Sequence, residues 1–411
     1  MDVISVQSIS HPRDASDFIK AVFQGTSKAG YQELTLDFHD VSKVFPNACV
    51  PICAAIDHYR RNGIVFKMQN ASQFLSVTHM TEPLEVSPEN LRTAMDPISR
   101  VWLISNEQGI SMLLDNYVYA LSQKTECTSG VIEAFEWCLN EVMDNVLQHS
   151  EISRGFVMVQ VHPETHRIAI CVADAGIGIY NSLLNSIHRP RSVVDAITLA
   201  VKEGVTRDTA IGQGNGLWGL LEIVSANSGG LTLTTGPGSV FYRPNSKVQT
   251  FDALPFLDRR YQGTIVDFQL RASTPIDLPK ALGGHTRVNL TLEQLETERG
   301  DHFVEVKEHS HGTGTRKSAE QLRNFVVNII NQGSTRIILD FSGIGVISSS
   351  FADELIGKLI VKYGLFVFQQ VISLKGMTET VQAILQRSVA QRMMQSLRDS
   401  SAGQADNSAS R

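Results

Sequence analysis

Three stretches near the middle of the chain carry residue types that can do chemistry. In CLNEVMDNVLQH, Glu141 and Asn145 stand four residues apart, which puts both on one face of a helix. An Asn oxygen can bind a hard cation such as Mg²⁺, and a carboxylate can orient or deprotonate water or a hydroxyl. His149 continues the polar face by one turn. The same spacing suits an ordinary solvated face, so the pair alone is a weak signal. The second stretch is DAGIGI, Asp174–Ile179, directly after the apolar run RIAICVA. A carboxylate at a strand end can accept a hydrogen bond from an exocyclic amine such as that of adenine. Gly176 and Gly178 let a ligand approach the backbone, although a plain glycine-rich turn has the same composition. The third is GQGNGLWG ahead of the apolar helix LWGLLEIVSA. Gly212, Gly214 and Gly216 leave N–H groups free to wrap phosphates, with Asn215 a further candidate among them. The following helix adds its positive end.

Other motif readings fare worse. Gly214–Gly219 matches GxGxxG, but the preceding TRDTAIGQ is polar rather than a strand, and Thr234 stands where a ribose-binding acid belongs. A nicotinamide dehydrogenase is therefore a distant third reading. The phosphate loop GxxxxGK[ST] is absent, which disfavours a Walker-type NTPase. Cys49 and Cys53 lie one helical turn apart without a second pair of matching spacing, so buried small apolar residues fit better than a metal pair.

The elements that must position these residues follow from periodicity. Val131, Phe135, Leu139, Val142 and Val146 form the apolar stripe that seats the Glu141 helix. Phe156–His162 and Arg167–Ala173 alternate as strands joined by PETH, and Leu231–Thr235, Val240–Arg243 and Thr264–Leu270 are later strands. Helices first and strands later predict an α+β sandwich. On either side lies an α/β unit. Glu33–Asp37 is a strand, a helix opens at Pro46 and stops at Gly63, and Ile64–Lys67 is the next strand. Towards the other end, Lys317–Asn331 is a helix, Arg336–Asp340 a strand, Ser350–Tyr363 a helix, Leu365–Val371 strand-like and Thr378–Ser396 helical. The outer units resemble a diverged repeat, LDFHDVSKVFPNACVPI against LDFSGIGVISSSFADEL. Asp37 and Asp340 close equivalent strands, and Asn47 stands where Ser350 does. The expected organisation is an α/β domain over 1–82, the central domain with its preceding helices over 83–273, a linker at 274–285, a second α/β domain over 286–398, and a disordered tail at 399–411.

Composition sets the outer bounds. The 411 residues are 42% hydrophobic, 19% charged and 7% aromatic, with a net charge of −6, which excludes collagen-like, coiled-coil-only and wholly disordered chains. A mildly acidic chain is a poor starting point for a dedicated nucleic-acid binder. No stretch reaches the ~18 apolar residues of a membrane helix. The start, MDVISVQSISHPRD, is no secretory signal, and five cysteines without a CxxC fit reduced thiols. The expected location is the cytoplasm.

Taken together and in this order, the three motifs resemble the ATP-binding domain shared by gyrase, histidine kinases and MutL, the Bergerat or GHKL fold. Gly263-Thr264 adds the late Gly-Thr of that family's terminal strand. The resemblance covers about 150 residues. It implies ATP and Mg²⁺ as cofactors, with Asn145 on Mg²⁺, Glu141 as base, Asp174 on adenine, and Gly176 and Gly178 under the purine. It further implies Gly212, Gly214 and Gly216 on the phosphates and Thr264 near the base. Leu183–Ile211 would be a mobile lid carrying Lys202 and Arg207. WCLNEVMDNVLQHS looks closest to the anti-sigma-factor serine kinases. No phosphoacceptor-histidine helix of the HExRTP type precedes it, which disfavours a sensor histidine kinase.

The segment LDFSGIGVISSSFADELIGKL is similar to STAS domains, the antagonists that such serine kinases phosphorylate. Ser350 matches the phosphoacceptor position, although Ser348-Ser349-Ser350-Phe351 replaces the family's Asp-Ser-Ser-Gly. Alternatively, Ser350 caps the helix, with Asp353 completing a capping box. The expectation is a GHKL sandwich with a STAS-like domain on each side. Its Mg-ATP site would control those domains by serine phosphorylation, as a kinase, or by nucleotide-driven switching with or without slow ATP hydrolysis. The alternative is a non-catalytic scaffold with a degenerate nucleotide site. Expected partners are proteins, including STAS or sigma-factor-like regulators and further copies of the chain, rather than membranes or nucleic acid.

Overall fold

Alternation decides the first sheet. Leu34 and Leu36 are fully buried on one face of β2 (Glu33–Asp37), between more exposed neighbours. The computed structural model describes residues 2–184, 186–205, 216–244, 246–252, 262–282, 301–310, 312–334 and 336–408. These form mixed α/β structure in two compact units, 1–120 with 131–287 and 121–130 with 288–411.

In the first unit, β1 (Val3–Ser5), β2 and β3 (Val65–Gln69) pair in parallel in that order. Helix α1 (Pro12–Phe23) starts at a capping box formed by His11 and Asp14. Helix α2 (Pro46–Arg61) starts on proline and ends before Gly63, whose φ is +87°. Most of α2 is buried. A helix apolar around most of its circumference needs cover on more than one side. Besides α1, it packs on β6 (Gly155–His162) and β7 (Arg167–Asp174) of a second sheet. Cys49 and Cys53 share that core with Phe156, Met158, Cys171 and Ala173. All five cysteines are buried and unbridged.

This second sheet has eight strands. Besides β6 and β7 they are β4 (Leu84–Glu85), β5 (Trp102–Ile104), β8 (Gly230–Thr235), β9 (Gly238–Tyr242), β10 (Gln249–Phe251) and β11 (Thr264–Arg271). Their order is β10-β9-β8-β11-β7-β6-β5-β4, antiparallel except between β4 and β5. The helices among them are α3 (Gln73–Val77), α4 (Pro88–Ala94), α5 (Glu107–Lys124), α6 (Val131–His149), α7 (Gly178–Leu184), α8 (Val193–Ala200), α9 (Gly216–Ala226) and α10 (Leu278–Ala281). Helices α6 and α9 lie on the sheet against β7, β8 and β11. The α/β and α+β expectation therefore holds.

Within the segment expected to be a lid, Leu183 and α8 are packed, with Ala196 and Ala200 buried, while Lys202 is exposed and Arg207 lies outside the described residues. The segment expected as linker begins packed as well, since Ile276, Leu278 and Leu282 are buried.

The second unit repeats the first sheet's plan. Strands β12 (His302–Glu305), β13 (Ile337–Asp340) and β14 (Ile372–Lys375) pair in parallel in that order. The helix Arg316–Asn331, capped by Thr315, joins the first two. Ser349–Ala352, a π turn at Asp353–Gly357 and Lys358–Tyr363 follow β13.

Three expectations need correction. Leu365–Val371 is a helix rather than a strand, because β13 takes its partner only from Ile372 onward. Phe366 is 86% exposed while Phe368 is buried, which is not the environment of a central strand. The tail is not structureless from 399, since the last helix runs Glu379–Ser408. Ser350 is not the cap. Ser348 accepts from the Phe351 N–H at 3.0 Å, and Asp353 instead pairs with Arg392 at 2.6 Å. Among the described residues, no helix is long and apolar enough to cross a membrane.

Candidate functional site

Helix α6 presents its apolar stripe to the sheet, with Phe135, Cys138, Leu139, Val142 and Val146 buried. A second face carries Glu133, Trp137, Glu141 and Asn145 at four-residue intervals. Helix α9 opens against that face. A Cβ on Gly216 would lie 2.9 Å from Glu141 Oε2 and 3.5 Å from Asn145 Nδ2. One on Gly219 would overlap the Trp137 ring and lie 2.9 Å from Leu282 Cδ2. Glycine thus lets the first turn of α9, with its positive end, approach the two polar residues closely. The Asn145 Nδ2 is buried and has no hydrogen-bond partner among the described residues. Such a donor is costly to leave unmet and marks a place for an acceptor oxygen.

Asp174 ends β7, paired with Thr264 of β11 on one side and Gly155 of β6 on the other. It is 4% exposed. Burial pushes its carboxyl up to about 6, against the N–H groups of Gly176 and Thr264 and the Thr264 hydroxyl, which favour the charged form. The Gly176 N–H donates to Asp174 Oδ1 at 2.7 Å.

The loop after Asp174 is fastened at both ends. The Ile177 N–H donates to the Ser150 carbonyl at 3.1 Å, just past α6. The Ile179 N–H donates to Thr235 Oγ1 at 3.0 Å. A Cβ on Gly176 would run into the Ser150 carbonyl, and one on Gly178, at φ +76°, into the Gln262 carbonyl. The space freed by these two glycines is taken up by the protein's own backbone, and the result is a fixed loop.

Two clusters therefore form, Glu141–Asn145–Gly216 and Asp174–Gly176–Gly178–Thr264, joined through the end of α6. Gly212, Gly214 and Asn215 lie outside the described residues. Sequence reasoning missed Glu133, Trp137, Ser150, Thr235 and Gln262. Glu133 was available in principle, two helical turns before Glu141. Its Oε2 is buried without a hydrogen-bond partner among the described residues, and burial raises its pKa. The others act through contacts distant in sequence that no local pattern signals.

Residues 318–382 match a family model described as a STAS-like domain of unknown function, DUF4325. The C-terminal resemblance is thus borne out as a STAS-like domain. No curated protein matches the chain. Among solved structures, full-length ShkA in complex with AMPPNP matches at 11% identity and a TM-score of 0.21, over 70% of this chain and 57% of that one. The chain thus spans little more than half the length of that protein.

Proposed function

We infer that the chain is an ATP-binding regulatory protein, in which a GHKL-type Mg-ATP site on the eight-stranded sheet controls the STAS-like domain. The observation that carries this reading is the buried Asn145 Nδ2, without a hydrogen-bond partner among the described residues, beside Glu141 and the glycine opening of α9. A polar donor left unmet among the described residues fits a ligand rich in acceptor oxygens, as a triphosphate is. In this reading Asn145 Oδ1 holds Mg²⁺, whose charge offsets that of the phosphates. Glu141 orients or deprotonates the attacking water or hydroxyl. The Asp174 carboxylate accepts from the adenine amine, with Thr264 beside it, and Gly176 and Gly178 support the base. Gly212, Gly214, Asn215 and Gly216 supply the phosphate loop. The output is either phosphorylation, with Ser350 or a separate protein as acceptor, or a nucleotide-driven population shift. Partners in this reading are proteins, including further copies of the chain.

Equilibrium binding of ATP with and without Mg²⁺ tests the site. Asp174→Ala is expected to abolish binding, Glu141→Ala to spare binding and remove turnover, and Asn145→Ala to lose the Mg²⁺ dependence. Equal ATP affinity in Asp174→Ala and the natural chain would defeat the assignment and favour a scaffold with a degenerate site. Incubation with labelled ATP separates the two outputs. Label that disappears in Ser350→Ala marks the kinase, and nucleotide-dependent compaction without label marks the switch.

A further inference from the structure

The last turn of α5 and the peptide that joins it to α6, together 121–130, belong to the STAS-like unit, although the rest of α5 and the whole of α6 belong to the other. One face of the helix Arg316–Asn331 holds this strap through side-chain amides. Asn328 Nδ2 donates to the carbonyls of Ser122 at 2.8 Å and Thr125 at 3.0 Å, and its Oδ1 accepts from the Cys127 N–H at 2.6 Å. Asn331 Nδ2 donates to the Cys127 carbonyl at 2.7 Å, and Asn324 Nδ2 to the Gln123 carbonyl at 3.2 Å. Asn324 and Asn328 are 5% and 2% exposed. Glu126 adds ion pairs to Arg323 and Lys362.

Buried asparagines such as Asn324 and Asn328, with the half-buried Asn331 one turn on, are poor core formers unless their polar groups are met. Here all three Nδ2 groups and the Asn328 Oδ1 are met by the backbone of one short peptide, which is thereby fixed in position rather than merely covered, while Asn324 Oδ1 accepts from Arg323. From the last held residue, Cys127, the chain reaches the first residue of α6 in four steps, through Gly130 at φ +78°. A helix is stiff along its axis, so the position of its leader peptide bears on every residue it carries, Glu141 and Asn145 included.

We propose that this asparagine ladder couples the STAS-like unit to the nucleotide site by setting the position of α6. The proposal rests on the reading of that site as an ATP site. Linkage requires the effect to run both ways. Bound Mg-ATP slows amide exchange in the strap, and loosening the strap weakens Mg-ATP.

The test uses the full chain with Asn328→Ala, following hydrogen exchange at 121–130 and Mg-ATP affinity together. Exchange at the Cys127 amide is expected to speed up about tenfold or more, and Mg-ATP affinity to fall about fivefold or more. Saturating Mg-ATP should slow the same amide in the natural chain by at least the factor by which the variant loses affinity. Faster exchange with unchanged affinity overturns the coupling and leaves the ATP site standing. A natural chain that does not bind Mg-ATP removes the site and the coupling with it. Asn331→Ala, which loses a single strap hydrogen bond, covers the case in which Asn328→Ala does not fold. Smaller shifts in both readouts support the proposal, and a shift in exchange alone overturns it.

Discussion

Asp174 carries its own pH signature. Its carboxyl sits at about 6 against an ordinary 3.8, so the folded chain holds a proton there that the unfolded chain has released. That group's contribution is fully present below pH 3.8 and is lost as the pH rises from there through the folded value of about 6, a change of about 3 kcal/mol. An adenine amine needs the ionised form as acceptor. ATP affinity is therefore expected to rise between pH 5 and about 6.5 and then level off, with the slope absent in Asp174→Asn. An affinity flat across that range would argue against the carboxylate–amine contact. Glu141, Asn145 and Asp174 were legible because each stands where an apolar period turns polar. Ser348 was not. Three consecutive serines are equally good caps on paper, and the chain geometry selects among them.

At the scale of elements, the packing of α9 on α6 depends on one missing side chain. Gly219→Ala puts a methyl into the Trp137 ring and is expected to cost about 1–3 kcal/mol, readable as a lower melting temperature. In the second unit, Glu354 is 1% exposed and is met by Arg316 at 3.0 Å, by Lys358 at 2.7 Å and by Arg323. Glu354→Ala removes the shared acceptor, while Arg323 keeps Glu126 and Arg316 keeps Asp353, and is expected to cost about 1–3 kcal/mol in denaturant melts. A loss below 1 kcal/mol would mean that the guanidinium groups find water instead. The core elements were readable because their periods are long and regular. The failure at Leu365–Val371 has a physical cause. Its β-branched and aromatic residues suit a strand, but β13 is four residues long and takes its partner at Ile372–Lys375.

Across the whole molecule, the two parallel sheets are versions of one plan. The Phe38 N–H donates to the Gln69 carbonyl at 3.1 Å, and its counterpart Phe341 to the Lys375 carbonyl at 2.9 Å. The next residues, Asn70 and Gly376, both turn left-handed, at φ +55° and +67°. Their surroundings differ. Asn70 Nδ2 donates to Asp37 at 2.9 Å, whereas a Cβ on Gly376 would crowd Asp340 and lie 2.6 Å from the Ser342 nitrogen. Exchanging the two residues singly should therefore be unequal. Asn70→Gly should stay within about 1 kcal/mol, while Gly376→Asn should destabilise the second unit by more than about 1 kcal/mol. Comparable losses in thermal melts would show that the sheets do not differ at this turn.

The strap between α5 and α6 also fixes an order of events during translation. Cys127 leaves the ribosome 201 residues ahead of Asn328. Until that asparagine is made, the strap lacks the side-chain amide that meets Ser122, Thr125 and Cys127, and α6 grows from a leader not yet held by it. The first unit is complete in sequence at residue 287, so 41 more residues, 288 to 328, are added before the strap's own partner exists.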